Sequence, residues 1–167
     1  MTAEDASNIS FKVTCPGLDK HDFDIAHSGV TRLTDNPAMD FPYAWSPDGA
    51  RIAFVSERDN NSEVYVMDMT YAYLTRVTAT ARADVWPSWS PDGIRIAFVS
   101  NRDFNSEIYV SNTDGSGQLR LTDDPAPDRG PVWSPDGSRI AFQSFREGRR
   151  EVYLVSPDGS ELTRLGR

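Results

Sequence analysis

The stretch that decides the fold is "WSPDGARIAF", Trp45 to Phe54, which returns as "WSPDGIRIAF" at Trp89 to Phe98 and "WSPDGSRIAF" at Trp133 to Phe142, 44 residues apart each time. Pro-Asp-Gly is turn chemistry: Pro pre-sets φ at about −65°, Asp bonds nearby backbone N–H groups, and Gly accepts a positive φ without a Cβ clash. The following "RIAF" is β-rich, apolar at successive positions and too short for a helix. A hairpin is therefore expected at each copy, with Gly49, Gly93 and Gly137 in the turn. Trp45, Trp89 and Trp133 are expected in a core between successive units, each able to bury on the order of 200 Å².

Working outward, the period divides the chain into units 31–74, 75–118 and 119–162, with "TRLGR" at 163–167 opening a fourth. The first two units agree at about half their positions. Each continues with a Tyr-containing strand, "EVYVMD" (Glu63 to Asp68), "EIYVSN" (Glu107 to Asn112) or "EVYLVS" (Glu151 to Ser156), and then with "TRVT", "LRLT" or "TRLG". The last alternates in polarity, as an outer strand with one wet face does. No segment sustains helical apolar spacing over three turns. The fold class expected is all-β: a propeller segment of about three four-stranded antiparallel blades, with residues 1–30 as a degenerate partial blade or N-terminal extension and 31–167 as the three repeats. "ISFKV" (Ile9 to Val13) is the apolar strand expected in that worn blade.

The pattern "WSPDG(x)RIAF.S.R....E(I/V)Y" followed by "RLT" resembles the repeat of the TolB-like β-propeller family, and related blades occur in the propellers of prolyl-oligopeptidase-type serine peptidases. The resemblance covers residues 31–167. It implies an extracytoplasmic, periplasmic setting and a role of the Tol–Pal kind, in which a propeller binds partner proteins and peptides. Function within a shared fold rests on particular sites.

Composition narrows the partners. In 167 residues a formal charge of −8 opposes nucleic-acid binding, which needs clustered Lys and Arg. Cys15 stands alone, so no intramolecular disulfide or thiolate zinc site can form. The opening lacks the basic and apolar run of a secretory signal, and no segment is long and apolar enough to enter a bilayer. Two arrangements would complete the arc: a longer propeller of which this chain is a fragment, the reading favoured, or a homodimer closing a six-bladed ring.

Candidate sites follow from what the units share and where they differ. Asp40, Asp84 and Asp128 each precede the tryptophan by five residues, as a carboxylate ring for Ca²⁺ or a basic peptide would, or as carboxylates bonding backbone amides of the entering loop. No other cofactor and no resident metal are expected. Arg51, Arg95 and Arg139 are expected to pair across strands with Glu63, Glu107 and Glu151. "SERD", "SNRD" and "SFRE" read as polar loops, and "DGSG" (Asp114 to Gly117) as a turn, because it lacks the Lys-Ser/Thr and helix of a phosphate loop. There is no G-x-S-x-G elbow, and "HDFDIAH" (His21 to His27) is a solvated loop sooner than a metal site. No catalytic residue is assigned. The unit-specific Trp86, Phe104, Phe145, Arg149 and Arg150 are of the types that anchor protein interfaces, and so is the replacement of a usual turn by "TYAYL" at Thr70 to Leu74. The expected function is a non-catalytic scaffold for a protein or peptide partner; the alternative is a gating propeller of a serine peptidase.

Overall fold

The structure, a computed structural model, describes residues 32–166. The expectations placed on residues 1–30, including the strand at Ile9 to Val13, Cys15 and the histidines, lie outside the described residues.

The turn pentapeptide folds as its chemistry requires. At the first copy the Gly49 N–H donates to the Ser46 carbonyl at 2.9 Å, and Asp48 Oδ1 accepts from the Ser46 hydroxyl and from the Ala50 N–H. Gly49, Gly93 and Gly137 all take φ near 70° (71°, 70° and 72°), the left-handed position that a Cβ would strain. Each turn joins the first two strands of a sheet, and other short connections join the rest.

The result is three four-stranded antiparallel meanders. The first comprises β1 (Asp40–Trp45), β2 (Arg51–Ser56), β3 (Glu63–Asp68) and β4 (Tyr73–Arg76). The second comprises β5 (Asp84–Trp89), β6 (Arg95–Ser100), β7 (Glu107–Asn112) and β8 (Leu119–Arg120). The third comprises β9 (Asp128–Trp133), β10 (Ile140–Ser144), β11 (Glu151–Val155) and β12 (Thr163–Leu165). Successive sheets pack face to face, and β1, β5 and β9 lie side by side along the inner edge, while β4, β8 and β12 form the outer edge. No helix occurs among the described residues, and the sheets are propeller blades.

Each blade has a leading face, toward the preceding blade, and a trailing face. The period-two alternation of a strand assigns residues to them. Ala53, Val55, Val64 and Val66 on the trailing face of the first blade meet Trp89, Ile96, Phe98 and Tyr109 on the leading face of the second. Ala97, Val99, Ile108 and Val110 meet Trp133, Ile140, Phe142 and Tyr153 in the same way at the next seam. On every leading face the Phe and Tyr rings stack, with centroids 5.7 to 5.9 Å apart. Each buried aliphatic or aromatic side chain contributes about 1.5–3 kcal/mol through loss of apolar surface to water, so these two seams hold the blades together.

Two expectations are corrected here. Trp89 and Trp133 are 7% exposed, but Trp45 is 56% exposed, because no described sheet lies against the leading face of the first blade. The arginine–glutamate pairing is also wrong. In the β2–β3 hairpin Arg51 stands opposite Asp68 and Glu63 opposite Ser56, so the two charges sit at opposite ends of the pair. Arg51 instead reaches the next blade, donating to the Gly93 carbonyl at 2.8 Å with its guanidinium 4.8 Å from the Trp89 ring. Arg95 lies 4.9 Å from the Trp133 ring. The glutamates pair with the outer strand: Glu63 with Arg76 at 3.4 Å, Glu107 with Arg120 at 3.2 Å, and Glu151 with Arg164 at 2.7 Å.

Candidate functional site

The hairpin registers divide the blades into two ends. The Pro-Asp-Gly turns occupy one end. The other holds the starts of β1, β5 and β9 and the β2–β3, β6–β7 and β10–β11 turns, because Asp84 pairs with Ser100 and Ser100 with Glu107. Asp40, Asp84, Asp128, Trp86, Phe104, Phe145, Arg149 and Arg150 all fall at this second end, whereas "TYAYL" belongs to the first.

The three aspartates do not form an open carboxylate ring, nor do they bond backbone amides. Each faces an arginine of its own blade's next turn: Asp40 with Arg58 at 3.2 Å, Asp84 with Arg102 at 3.5 Å, Asp128 with Arg146 at 2.9 Å. The same arginines donate Nε–H to Ser56, Ser100 and Ser144 at 2.7 to 2.8 Å. Asp84 and Asp128 are fully buried, and each has one oxygen, Oδ1, without a hydrogen-bond partner. A Ca²⁺ ion at these positions would have to displace the guanidinium groups. Burial raises the carboxyl pKa of Asp84 and Asp128 above the ordinary value, against the opposing pull of Ser100 with Arg102 and of Ser144 with Arg146. Asp40 also feels burial, but hydrogen bonds from Ser56, Thr34, Asn36 and Arg58 outweigh it and its pKa falls. Among the described residues no group of three His, Cys, Asp or Glu side chains is placed to hold a metal.

Buried Glu–Thr contacts run beside the Asp84 and Asp128 pairs. The Thr78 hydroxyl donates to Glu63 Oε2 at 2.5 Å, the Thr80 N–H to Glu63 Oε1 at 2.9 Å, and the Thr80 hydroxyl to Asp84 at 3.1 Å. One period on, Thr122 donates to Glu107 at 2.6 Å. These contacts tie the loop that enters a blade to the blade before it. They are structural, and they account for what all units share.

The unit-specific residues behave differently. Opposite β6, the register of β5 slips between Val85 and Ser88, leaving Trp86 in a bulge with φ 57° and 37% exposed. The third blade fills the same place with Gly130, φ 61°. A bulky side chain in this conformation is strained, and such strain gathers at sites of function. The Arg129 guanidinium lies 6.0 Å from the Trp86 ring, and the indole N–H faces the Tyr43 hydroxyl. Phe104 repeats the feature. It holds φ 67° where the other blades carry Asn60 (72°) and Gly148 (74°), it is 85% exposed, and Arg82 lies 4.2 Å from its ring. On the third blade Arg150 is 5.5 Å from Phe145, while Arg149 donates to Glu151 at 2.5 Å.

The second blade thus presents two aromatic rings on left-handed backbone, each faced by a guanidinium, at one end of the molecule. Neither the Asp–Arg pairs nor Arg82, Arg129 and Tyr43 were singled out from the sequence. The pairs had a signal, since Asp, Ser and Arg recur together in every unit; the partners of the aromatics, which come from neighbouring loops and blades, had none.

Comparison with known proteins agrees with this architecture. The family profile described as TolB beta propeller domain matches residues 83–167. No curated protein sequence matches the chain. Among solved structures, one assigned as TolB from Agrobacterium tumefaciens is 31% identical with a TM-score of 0.71, over 80% of this chain and 51% of that one. TolB from Acinetobacter baumannii is 26% identical with a TM-score of 0.71, over 81% of this chain and 34% of that one. A puromycin hydrolase is 17% identical with a TM-score of 0.65, over 81% of this chain and 23% of that one. This chain therefore spans about half the length of the first of these relatives and about a third of the second.

Proposed function

The chain belongs to the TolB beta propeller domain family, and from that premise we propose that it is a non-catalytic scaffold that binds a protein or peptide partner at the blade end carrying Trp86 and Phe104. The observation that carries this reading is the backbone under those two rings. Where the second blade has Trp86 the third has Gly130 and the first Pro42, and where it has Phe104 the others have Asn60 and Gly148, so the fold does not call for aromatic side chains there. Holding Trp and Phe on left-handed backbone costs of order 1–3 kcal/mol each, and Phe104, 85% exposed, recovers little of it by packing within the chain. Rigid aromatics beside arginine are the groups that supply binding energy when a partner desolvates them. The peptidase-gate reading has only likeness of fold behind it, since the puromycin hydrolase is 17% identical.

The test is selection of a random peptide library on the immobilised protein, followed by affinity measurement in solution. Selected peptides should lose about tenfold or more in affinity, some 1.4 kcal/mol, for Trp86→Gly and for Phe104→Gly. Neither variant should melt below the parent. Peptides that bind both variants as tightly as the parent would reject the site.

A further inference from the structure

Arginines at the Trp86 end of the blades fall into two sets. Those that recur in every unit face carboxylates: Arg58, Arg102 and Arg146 pair with aspartates, and Arg76, Arg120 and Arg164 with glutamates. Arg82 and Arg129 recur in no other unit. The sister positions hold Ala38 and Ala126 for the first, and Phe41 and Val85 for the second. Both side chains are exposed, and among the described residues neither guanidinium meets a carboxylate or donates a hydrogen bond; the hydrogen bonds of Arg82 to Thr80 run through its backbone.

Each of these two cations instead lies over one of the two aromatic rings on left-handed backbone, Arg82 at 4.2 Å from Phe104 and Arg129 at 6.0 Å from Trp86. The coincidence arises twice from different elements: Arg82 lies in the β4–β5 loop and Phe104 in the β6–β7 turn, whereas Arg129 opens β9 and Trp86 sits in β5. A ring beneath a guanidinium attracts the charge and steadies the side chain, yet it takes up none of the N–H donors along the edge of the plane. What matches such a pair is a carboxylate next to an apolar side chain. The carboxylate can accept two parallel N–H bonds from the guanidinium, while its apolar neighbour covers the ring. A nucleic acid matches worse, because Asp103, Asp123, Asp124 and Glu147 lie in the loops of the same end and oppose a continuous run of phosphates.

We propose that the partner of this site is an acidic protein segment, in which Asp or Glu residues bond Arg82 and Arg129 while flanking apolar residues cover Phe104 and Trp86. This rests on the reading of the Trp86 and Phe104 end as a binding site and adds the charge of what binds there.

Peptides selected from a random library on the immobilised protein test it, each compared in solution with a twin carrying Asn and Gln in place of its Asp and Glu. The expected peptides are rich in Asp and Glu and bind about tenfold more tightly than their amide twins at low salt, with the advantage shrinking as salt rises. They should lose about fivefold in affinity for Arg82→Gln and for Arg129→Gln, because each guanidinium then forfeits a charge-assisted pair. Neither variant should melt below the parent, since both guanidinium groups are exposed. Arg82→Glu should reverse the preference, taking a Lys-substituted twin over the acidic peptide. Selected peptides that need Trp86 and Phe104 yet are neutral or basic, or that bind both Arg→Gln variants as tightly as the parent, would overturn the acidic partner and leave the site standing. Peptides indifferent to Trp86→Gly and Phe104→Gly would remove the site itself, and the proposal with it. Tighter binding of oligothymidylate than of any selected peptide would overturn it in favour of a nucleic-acid partner.

Discussion

Gly49 and Gly93 hold the same turn position at the same φ, yet their surroundings differ. A Cβ on Gly49 would meet nothing within 4 Å, whereas on Gly93 it would come within 3.1 Å of Arg51 Nη2, the group that bridges the first seam. Gly49→Ala should cost about 1 kcal/mol for the left-handed backbone alone. Gly93→Ala should cost roughly 2 kcal/mol, since the displaced guanidinium also gives up its hydrogen bond; equal urea midpoints for the two variants would contradict this. Trp86 inverts the expectation. Replacing a bulky residue on left-handed backbone by the glycine its sister blade already uses should raise stability by about 1 kcal/mol while removing the binding surface. A melting temperature clearly below the parent would mean that Trp86 serves packing instead. The turn glycines were legible because a pentapeptide carries its own conformational preference. The strain at Trp86 was not, although its alignment with Gly130 was in view, because a bulge exists only once the register with β6 is known.

Strands and turns show the same division. Local preference set the Pro-Asp-Gly hairpin turns, so the order of elements in each blade could be read from the sequence. Partners across a hairpin could not, because the antiparallel return places Arg51 opposite Asp68 and sends the guanidinium onto Trp89 in the neighbouring sheet. The pairs that do form give graded predictions. Arg102→Ala leaves the fully buried Asp84 facing no cation and should cost about 3 kcal/mol. Arg58→Ala should cost no more than about 1 kcal/mol, because Asp40 keeps solvent contact and its own hydrogen bonds. Chemical denaturation of the two variants would expose equal losses if the pairs were equivalent. The tryptophans differ similarly. Trp89→Ala should cost roughly 3–5 kcal/mol by opening a cavity in the seam. Trp89→Phe loses the bond to Ala44, whereas Trp133→Phe loses none because the Trp133 Nε1 is buried without a partner. Trp133→Phe should therefore be the milder by about 1 kcal/mol.

At the scale of the molecule, the period of 44 residues revealed the blades, since a repeat that recurs in register must bury its faces against its neighbours. Burial itself belongs to the neighbour and not to the repeat. Trp45 and Trp89 sit in identical pentapeptides, and only the sheet beside them separates surface from core. Ionisation follows the same rule, and it shapes the pH dependence of the whole fold. Asp48, Asp92, Asp114, Asp136 and Asp158 are held below the ordinary carboxylate value, first by hydrogen bonds from the Ser hydroxyls of their turns, with Asp136 at about 2. Their stabilisation is present above the ordinary value and is lost as pH falls through the folded one. Asp84, Glu107 and Asp128 are raised, chiefly by burial, so theirs is complete below the ordinary value and is lost as pH rises through the folded one. A net charge of −8 adds repulsion that also fades on the way down from neutrality. Melting temperature should therefore climb as pH drops from 7 to about 5, and fall again below about 4, where the turn aspartates take up protons. Asp128→Asn, which removes one raised carboxyl but keeps its shape, should flatten the neutral limb and leave the acid limb alone. A melting temperature that declines steadily from neutrality downward would show that the turn carboxylates outweigh the buried ones across the whole range.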